Sequence, residues 1–148
     1  TPSSSSAASD VYKRQPLREP YNKRLQERHE LSDVEYGKLR ISKMLPGFQD
    51  KKIFDFLCLI SQETSSEAIV CGGSSMQILD TTDILSKIKV PCLILTGSED
   101  IVVSKEKSLF LYDKIKNALH IEIKGVGHAP YCENALEFNE KISSFLST

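Results

Sequence analysis

The chain has 148 residues, of which 40% are hydrophobic and 26% charged, and its formal net charge is -1. These values are ordinary for a globular protein and exclude a disordered, collagen-like or strongly basic nucleic-acid-binding chain. The longest apolar stretch, residues 53–60, contains Asp55 and is shorter than the roughly 18 residues that a membrane-spanning helix needs. The composition predicts no nucleic-acid or membrane partner and leaves enzymes and binding modules equally open.

The first fifteen residues differ in character from the rest. Residues 1–9 form a Ser/Ala/Pro tract that cannot bury enough surface to order itself, and no apolar segment follows that would make it a secretory signal. Residues 5–15, SSAASDVYKRQ, look like the in-frame translation of a primer and transposon end from a sequencing library. We expect residues 1–15 to be a non-native or disordered tail. A natural flexible tail is the alternative, and either interpretation excludes this segment from the fold.

Residues 16–80 follow a helical pattern with polar breaks and no convincing strand segment. Ser32 and Glu35 have the spacing of a capping box, in which each residue's side chain accepts the other's backbone amide. A helix from about residue 33 to about residue 45 should follow, and Pro46-Gly47 should end it.

Two further helices are predicted in this region. The apolar residues between 53 and 60 recur at helical spacing. Thr64 and Glu67 form a second capping box, which opens a helix reaching about residue 79. Gly72 and Gly73 weaken that helix, so we expect a kink or a close helix contact there.

Residues 81–148 change to a pattern of strands alternating with helices. Their first apolar run is short, continuous and flanked by Pro and Gly, which is typical of a strand buried on both faces of a parallel sheet. In chain order the predicted elements are a helix at 82–87, a strand at 90–96, a helix capped by Ser104 and reaching about 116, a strand at 118–123, and a helix from about 133 to 145. This order is a βαβα unit with a parallel strand pair, so the fold class is α/β.

Two strands alone do not make a stable α/β sheet. Both predicted strands lack polar alternation and therefore expect neighbouring strands and helices that this chain does not fully supply. We expect the missing strands to lie upstream of Pro16, which would make the chain a fragment of a longer protein.

The residues that follow the two strands carry the most chemistry. Ligands bind beyond the carboxyl ends of parallel strands. Asp100 follows the first strand in the turn GSED, and His128 follows the second in the loop GVGH. A carboxylate at that edge can accept the imidazole Nδ1 hydrogen, fix its tautomer and leave Nε2 facing a substrate or nucleophile. Asp100 and His128 are therefore the candidate catalytic acid and base.

At these residues the sequence resembles the C-terminal part of the α/β-hydrolases. The resemblance covers residues 84–146 and lies in the helix ILSKI, the strand PCLILTG, the acid turn GSED, the crossover helix ending IKNA, the histidine loop GVGHAP and a final helix ending FL. The family's chain order is Ser, then Asp or Glu, then His, so the resemblance implies that Asp100 is the triad acid and His128 the base. It also implies a nucleophilic serine on an upstream G-x-S-x-G turn. Residues 72–76, GGSSM, lack the second glycine and follow no strand, so we do not assign that turn to them.

A looser resemblance concerns the helical region. The run SSEAIVCGGSSMQILDTTDIL is similar to the cap of oxoadipate enol-lactonase-like and esterase-like members of the family. It covers about 25 residues and includes no catalytic motif, and it implies that residues 16–80 form a helical cap or lid region.

Four other polar residues have simpler interpretations. Glu99 is the nearest rival to Asp100 as the acid. His120 lies within the second strand, and His29 lies in a charged helical stretch, so both are expected to have structural or surface roles. Glu133 is expected to favour the N-terminus of the last helix electrostatically, with pocket lining as the alternative.

Together with the resemblance, these observations predict that the chain is a fragment of a hydrolase that cleaves carboxylic esters or lactones. The predicted substrate is a small molecule, and no metal or organic cofactor is expected. The fragment itself is expected to be inactive. Alternatives are a fragment of a non-catalytic small-molecule receptor of the same fold, or of a dehalogenase or epoxide hydrolase with an Asp nucleophile. The four cysteines form no C-x-x-C pair and are predicted to be reduced packing residues, which favours a cytoplasmic location. The substrate and the oligomeric state are not predicted.

Overall fold

The structure is a computed structural model that describes residues 16–147, so the tail predicted at residues 1–15 lies outside the described residues. The described residues divide into two compact units, one of 16–40 with 55–80 and one of 41–54 with 81–147. The boundary predicted after residue 80 is one of the junctions between these units, whereas 41–54 group with the second unit. The assignment of a cap and a core stays a prediction.

Helices predominate among the described residues. In chain order the helices and strands are α1 (Tyr21–Glu30), α2 (Asp33–Met44), α3 (Lys51–Gln62), α4 (Ser66–Ile78), α5 (Thr82–Leu85), β1 (Cys92–Gly97), α6 (Lys105–Lys114), β2 (Ala118–Ile123), α7 (Pro130–Glu133) and α8 (Ala135–Leu146). Within residues 16–147, no helix combines the length and the apolar character needed to cross a bilayer.

The N-terminus of α2 has the capping box that the sequence predicts. The Ser32 amide donates to Glu35 Oε2 at 3.0 Å, and the Glu35 amide donates to Ser32 Oγ at 3.4 Å. Hydrogen bonds from the Ser32 side chain and backbone lower the pKa of Glu35. Tyr36, the next residue, is fully buried, and the Arg28 guanidinium carbon lies 5.3 Å from its ring centroid. The capping box thus begins α2 beside a buried aromatic side chain.

The start of α4 lies one residue later than its predicted cap implies. Ser65, rather than Thr64, is the N-cap, and its hydroxyl accepts the amide three residues later at 3.0 Å. The expected close helix contact is present at Gly73, where an added Cβ would lie 3.0 Å from the Tyr21 side chain of α1. A Cβ at Gly72 would meet no atom within 4 Å. Packing therefore explains a glycine at position 73 and not at 72.

In the second unit, β1 and β2 form the predicted parallel pair, in register over the 6 residues of each strand. Helix α6 lies on the face that carries His120, whose ring centroid is 6.3 Å from that of Tyr112. Helix α8 lies on the opposite face, where Phe145 and Leu119 line one small cavity. The predicted α/β class and the order strand, helix, strand, helix are confirmed.

The structure corrects three local predictions in this unit. Strand β1 begins at Cys92, two residues later than predicted, since Pro91 has no amide hydrogen for a sheet bond. Ser104 is the N-cap residue of α6, as predicted, but the expected bond from its hydroxyl is absent. The last helix is divided into α7 and α8, because Asn134 has a non-helical backbone and caps α8 by accepting the Glu137 amide at 3.3 Å.

The four cysteines, all within residues 16–147, form no disulfide bond, but they do not all pack. Cys58 is buried, Cys92 and Cys132 are half-buried, and Cys71 is exposed. Burial raises the pKa of the Cys132 thiol. The predicted packing role therefore fails for Cys71.

Candidate active site

The two loops that leave the carboxyl ends of β1 and β2 are joined by backbone hydrogen bonds. The Ser98 amide donates to the Ile123 carbonyl at 2.9 Å, and the Glu99 amide donates to the Val126 carbonyl at 2.9 Å. The Gly125 amide donates to Ser98 Oγ, also at 2.9 Å. Parallel pairing brings both loops to one edge of the sheet, and these three bonds hold them side by side.

Gly97, the last residue of β1, allows this close approach. A Cβ built at Gly97 would overlap the carbonyl oxygens of Val126 and Gly127, which are backbone atoms that cannot move aside independently. Val126 itself is only 5% exposed. The glycine is therefore required by the space between the loops, and its φ angle is not in the left-handed region.

Asp100 and His128 are in direct contact at this edge. His128 Nδ1 lies 3.0 Å from Asp100 Oδ2, and their side chains are 30% and 11% exposed, respectively. The second carboxylate oxygen, Oδ1, accepts the amides of Val102 at 2.7 Å and Val103 at 3.0 Å. Both oxygens of Asp100 are thus occupied, and the carboxylate faces the imidazole in one orientation. The juxtaposition that the sequence predicts is confirmed, while the catalytic roles stay predictions.

The surroundings of Asp100 favour its ionised form. Burial of the carboxyl group opposes ionisation and would raise the pKa, but the hydrogen bonds from His128, Val103 and Val102 outweigh it. The pKa of Asp100 consequently lies below its ordinary value. A carboxylate that stays ionised can accept the Nδ1 hydrogen of His128 and would stabilise an imidazolium if Nε2 took up a proton.

We expect the contribution of Asp100 to the free energy of unfolding to disappear at acidic pH. Its pKa in the folded state is depressed relative to the value of about 3.9 in an unfolded chain. The contribution is therefore complete above about pH 4 and is lost as the pH falls through the folded-state pKa. The difference in unfolding free energy between the wild type and Asp100→Asn, from urea titrations followed by circular dichroism, should shrink as the pH falls below about 4.

Asp113→Asn is the matched control, since it removes a carboxylate of α6 whose side chain is 71% exposed. Among the described residues, the ion pair of Asp113 is with Lys114. Its difference from the wild type should change less over the same pH range. A difference for Asp100→Asn that is constant with pH would contradict the expectation.

The backbone around His128 is fixed by acceptors on both sides. The Gly127 amide donates to Glu133 Oε2 at 2.8 Å, and the Ala129 amide donates to Glu133 Oε1 at 3.1 Å. The His128 amide donates to the Met44 carbonyl at 3.1 Å. Three successive amides of the histidine loop thus have partners, two of them on one carboxylate.

Sequence reasoning missed both of these acceptors. It placed Glu133 in the first turn of the last helix, but that helix begins at Ala135, and Glu133 lies in the short helix α7 instead. The available signal was Pro130, which favours the first position of a helix, followed three residues later by an acid. Met44 carried no signal, because any residue supplies a carbonyl.

Beside the histidine loop lies a cavity of about 400 Å³ within the second unit. It is lined by both apolar and polar groups, namely Pro46, Gly47, Phe48, Gln49, Asp50, Ile53, Gly125, Cys132 and Glu133. The alternative that Glu133 lines a pocket therefore agrees with the structure. Residues 16–147 contain no cluster of three His, Cys, Asp or Glu side chains that could hold a metal ion.

The remaining predicted residues lie apart from the Asp100–His128 contact. Glu99 is exposed, and its backbone amide joins the loops, so the structure brings Asp100 rather than Glu99 to the imidazole. His120 Nε2 lies 2.9 Å from Thr96 Oγ1 within the sheet, and His29 is exposed on α1.

The serine cluster at 72–76 lies inside α4, where Ser74 is buried and the Ser75 hydroxyl donates to the Cys71 carbonyl at 2.9 Å. It does not follow a strand, so it lacks the setting of a nucleophile turn.

Comparisons with solved structures find the same fold in several hydrolytic and related enzymes. The enol-lactonase from Burkholderia xenovorans LB400 matches with a TM-score of 0.75 and 16% identity, over 86% of this chain and 50% of its own. An esterase from Exiguobacterium antarcticum gives 0.76 and 17%, over 87% and 48%. A bromoperoxidase from Bacillus anthracis gives 0.77 and 19%, over 86% and 48%. No family model and no curated protein sequence matches the chain.

These matches establish the fold. The chain has part of the α/β-hydrolase fold, as its sequence resemblance implies, and it spans about half the length of the solved structures it matches. Identities below 20% do not extend the reaction of any of these proteins to this chain.

Proposed function

We propose that this chain carries the acid and the base of a catalytic triad in a hydrolase that cleaves carboxylic esters or lactones. Asp100 is the acid and His128 the base. The observation that carries the proposal is the 3.0 Å contact between His128 Nδ1 and Asp100 Oδ2 at the carboxyl edge of a parallel strand pair. Ligands of open parallel sheets bind at that edge.

The proposed chemistry assigns each group one step. The imidazole Nε2 of His128 removes the proton of a serine hydroxyl while the serine oxygen attacks the substrate carbonyl. Asp100 remains ionised and stabilises the imidazolium. His128 then returns the proton to the departing alcohol oxygen, and a water molecule, activated in the same way, releases the acid from the acyl-serine. For a lactone, the alcohol and the acid are the two ends of one product.

The serine and the oxyanion-hole amides are proposed to lie on a segment that precedes this chain in the complete protein. The family order of Ser, acid, His agrees with this placement, and so does the match to about half of each solved structure. The choice of an ester or lactone is supported by the similarity to an enol-lactonase and an esterase. A cytoplasmic location belongs to the same proposal and is supported by four cysteines that form no disulfide bond among the described residues.

The test is hydrolysis by the complete protein, obtained by recovering the coding sequence upstream of Pro16. We expect a serine on a G-x-S-x-G turn, labelling by a fluorophosphonate probe, and turnover of p-nitrophenyl acetate or a simple lactone. His128→Ala should lower kcat by roughly 10⁴- to 10⁶-fold, because the base is lost. The 148-residue chain alone should neither label nor turn over substrate.

His29→Ala is the matched control, since His29 is exposed on α1, and its kcat should stay within about twofold of the wild type. Unchanged turnover in His128→Ala would refute the proposal, as would labelling of the chain alone. An aspartate in place of the serine would indicate a dehalogenase or epoxide hydrolase. Another residue there, without turnover, would indicate a receptor.

A further inference from the structure

Glu133 has an unusual place in the second unit, because its one carboxylate bonds on both sides of His128. Oε2 accepts the Gly127 amide at 2.8 Å and Oε1 accepts the Ala129 amide at 3.1 Å. The contact is reciprocal, since the Glu133 amide donates to the Ala129 carbonyl at 3.0 Å. The segment from residue 127 to residue 133 is thereby closed into a ring by hydrogen bonds at both ends.

The bonds act on the backbone of the loop. Hydrogen bonds to an ionised carboxylate are shorter and stronger than those between neutral groups. With the amides of Gly127 and Ala129 held by Glu133, and that of His128 held by the Met44 carbonyl, the Cα of His128 has a fixed position. Only the two side-chain torsions remain, and the bond from Nδ1 to Asp100 restrains both.

From this geometry we infer that Glu133 is the positioning residue of His128: it holds the histidine loop so that the imidazole stays on Asp100 and Nε2 keeps one direction. It acts through the loop amides and takes no part in proton transfer. The significance for hydrolysis rests on the proposed function, but the positioning itself can be observed without turnover.

Glu133→Gln tests the inference because it keeps the size of the side chain and removes one acceptor. A glutamine has one amide oxygen and one NH₂ group, so one of the two loop amides would face a donor. In the 148-residue chain we expect hydrogen exchange of the Gly127 or Ala129 amide to accelerate by about tenfold or more. The ¹⁵N signals of the His128 ring should show a smaller fraction with the hydrogen on Nδ1.

Glu140→Gln is the matched control, because Glu140 is exposed on α8, and it should change neither readout. Exchange rates and ring signals equal to the wild type in Glu133→Gln would overturn the inference. If that variant fails to fold, the wild-type chain decides: the Gly127, His128 and Ala129 amides must exchange more slowly than the amide of Gly47, and equal rates overturn the inference.

In the complete protein, Glu133→Gln should lower kcat with little change in KM. If the proposed function is wrong, the wild-type protein will show no turnover, although its histidine-loop amides exchange slowly. In that case Glu133 would still position His128, for whatever chemistry the site performs.

Discussion

Asp100→Asn is expected to move the hydrogen of the neutral His128 ring from Nδ1 to Nε2. The reason lies in the two backbone donors to Oδ1, the amides of Val102 and Val103. An asparagine keeps one acceptor oxygen, and that oxygen must stay with these two amides. Its NH₂ group then faces His128 at the position of Oδ2 and donates to Nδ1. The ring would carry its hydrogen on Nε2 and could not accept a proton there.

The tautomer can be measured on the 148-residue chain from the ¹⁵N chemical shifts of the neutral His128 ring. In the complete protein, the same substitution should lower kcat by roughly 10⁴-fold, the size of the loss for this change in a serine protease. Glu99→Gln is the matched control, because Glu99 is adjacent and exposed, and it should alter neither quantity. Retention of the hydrogen on Nδ1 in Asp100→Asn would contradict the assignment of the network.

Gly97→Ala is expected to separate the two loops. The added methyl group would overlap the carbonyl oxygens of Val126 and Gly127, so backbone must move to admit it. Moving these carbonyls disturbs the Glu99 bond to Val126 and, through it, the contact between Asp100 and His128. We expect the free energy of unfolding to fall by about 3 kcal/mol, the upper end of the cost of overpacking.

Urea titrations followed by circular dichroism measure this loss, and the ring signals of His128 report the loop contact. Gly72→Ala is the control, because Gly72 lies in the interior of α4 with open space at its Cβ position. Removing a glycine from a helix interior should raise stability by up to about 1 kcal/mol. A Gly97→Ala chain as stable as the wild type, with unchanged His128 signals, would show that the loops tolerate a side chain there.

The contact at the sheet edge was predictable from sequence because it depends on patterns with strict geometry. Two short apolar runs separated by a helical segment require a parallel pair, and parallel strands end at the same edge. Asp100 and His128 each follow such a run after a glycine turn, so their proximity needed no knowledge of side-chain packing. The spacing of Ser32 and Glu35 was equally decisive, since a capping box involves only residues close in sequence.

Several details that differ from the predictions depend on choices between near-equivalent positions in the chain. Thr64 and Ser65 both carry a hydroxyl, and the choice between them as N-cap was settled by where α4 begins. Ser104 has the right position, but its hydroxyl makes no cap bond. Glu133 was placed in the wrong helix, because the helix breaks at Asn134. Asparagine can adopt the non-helical conformation found there, but it can also continue a helix.

The double attachment of Asp100 has a consequence for motion at the site. Since Oδ1 is tied to the amides of Val102 and Val103, the carboxylate cannot swivel to follow a departing ring. Any movement of the imidazole away from the acid must lengthen its hydrogen bond to Oδ2, which favours a return to the same position. The carboxylate therefore defines one resting position for the imidazole, to which the ring returns after a small displacement.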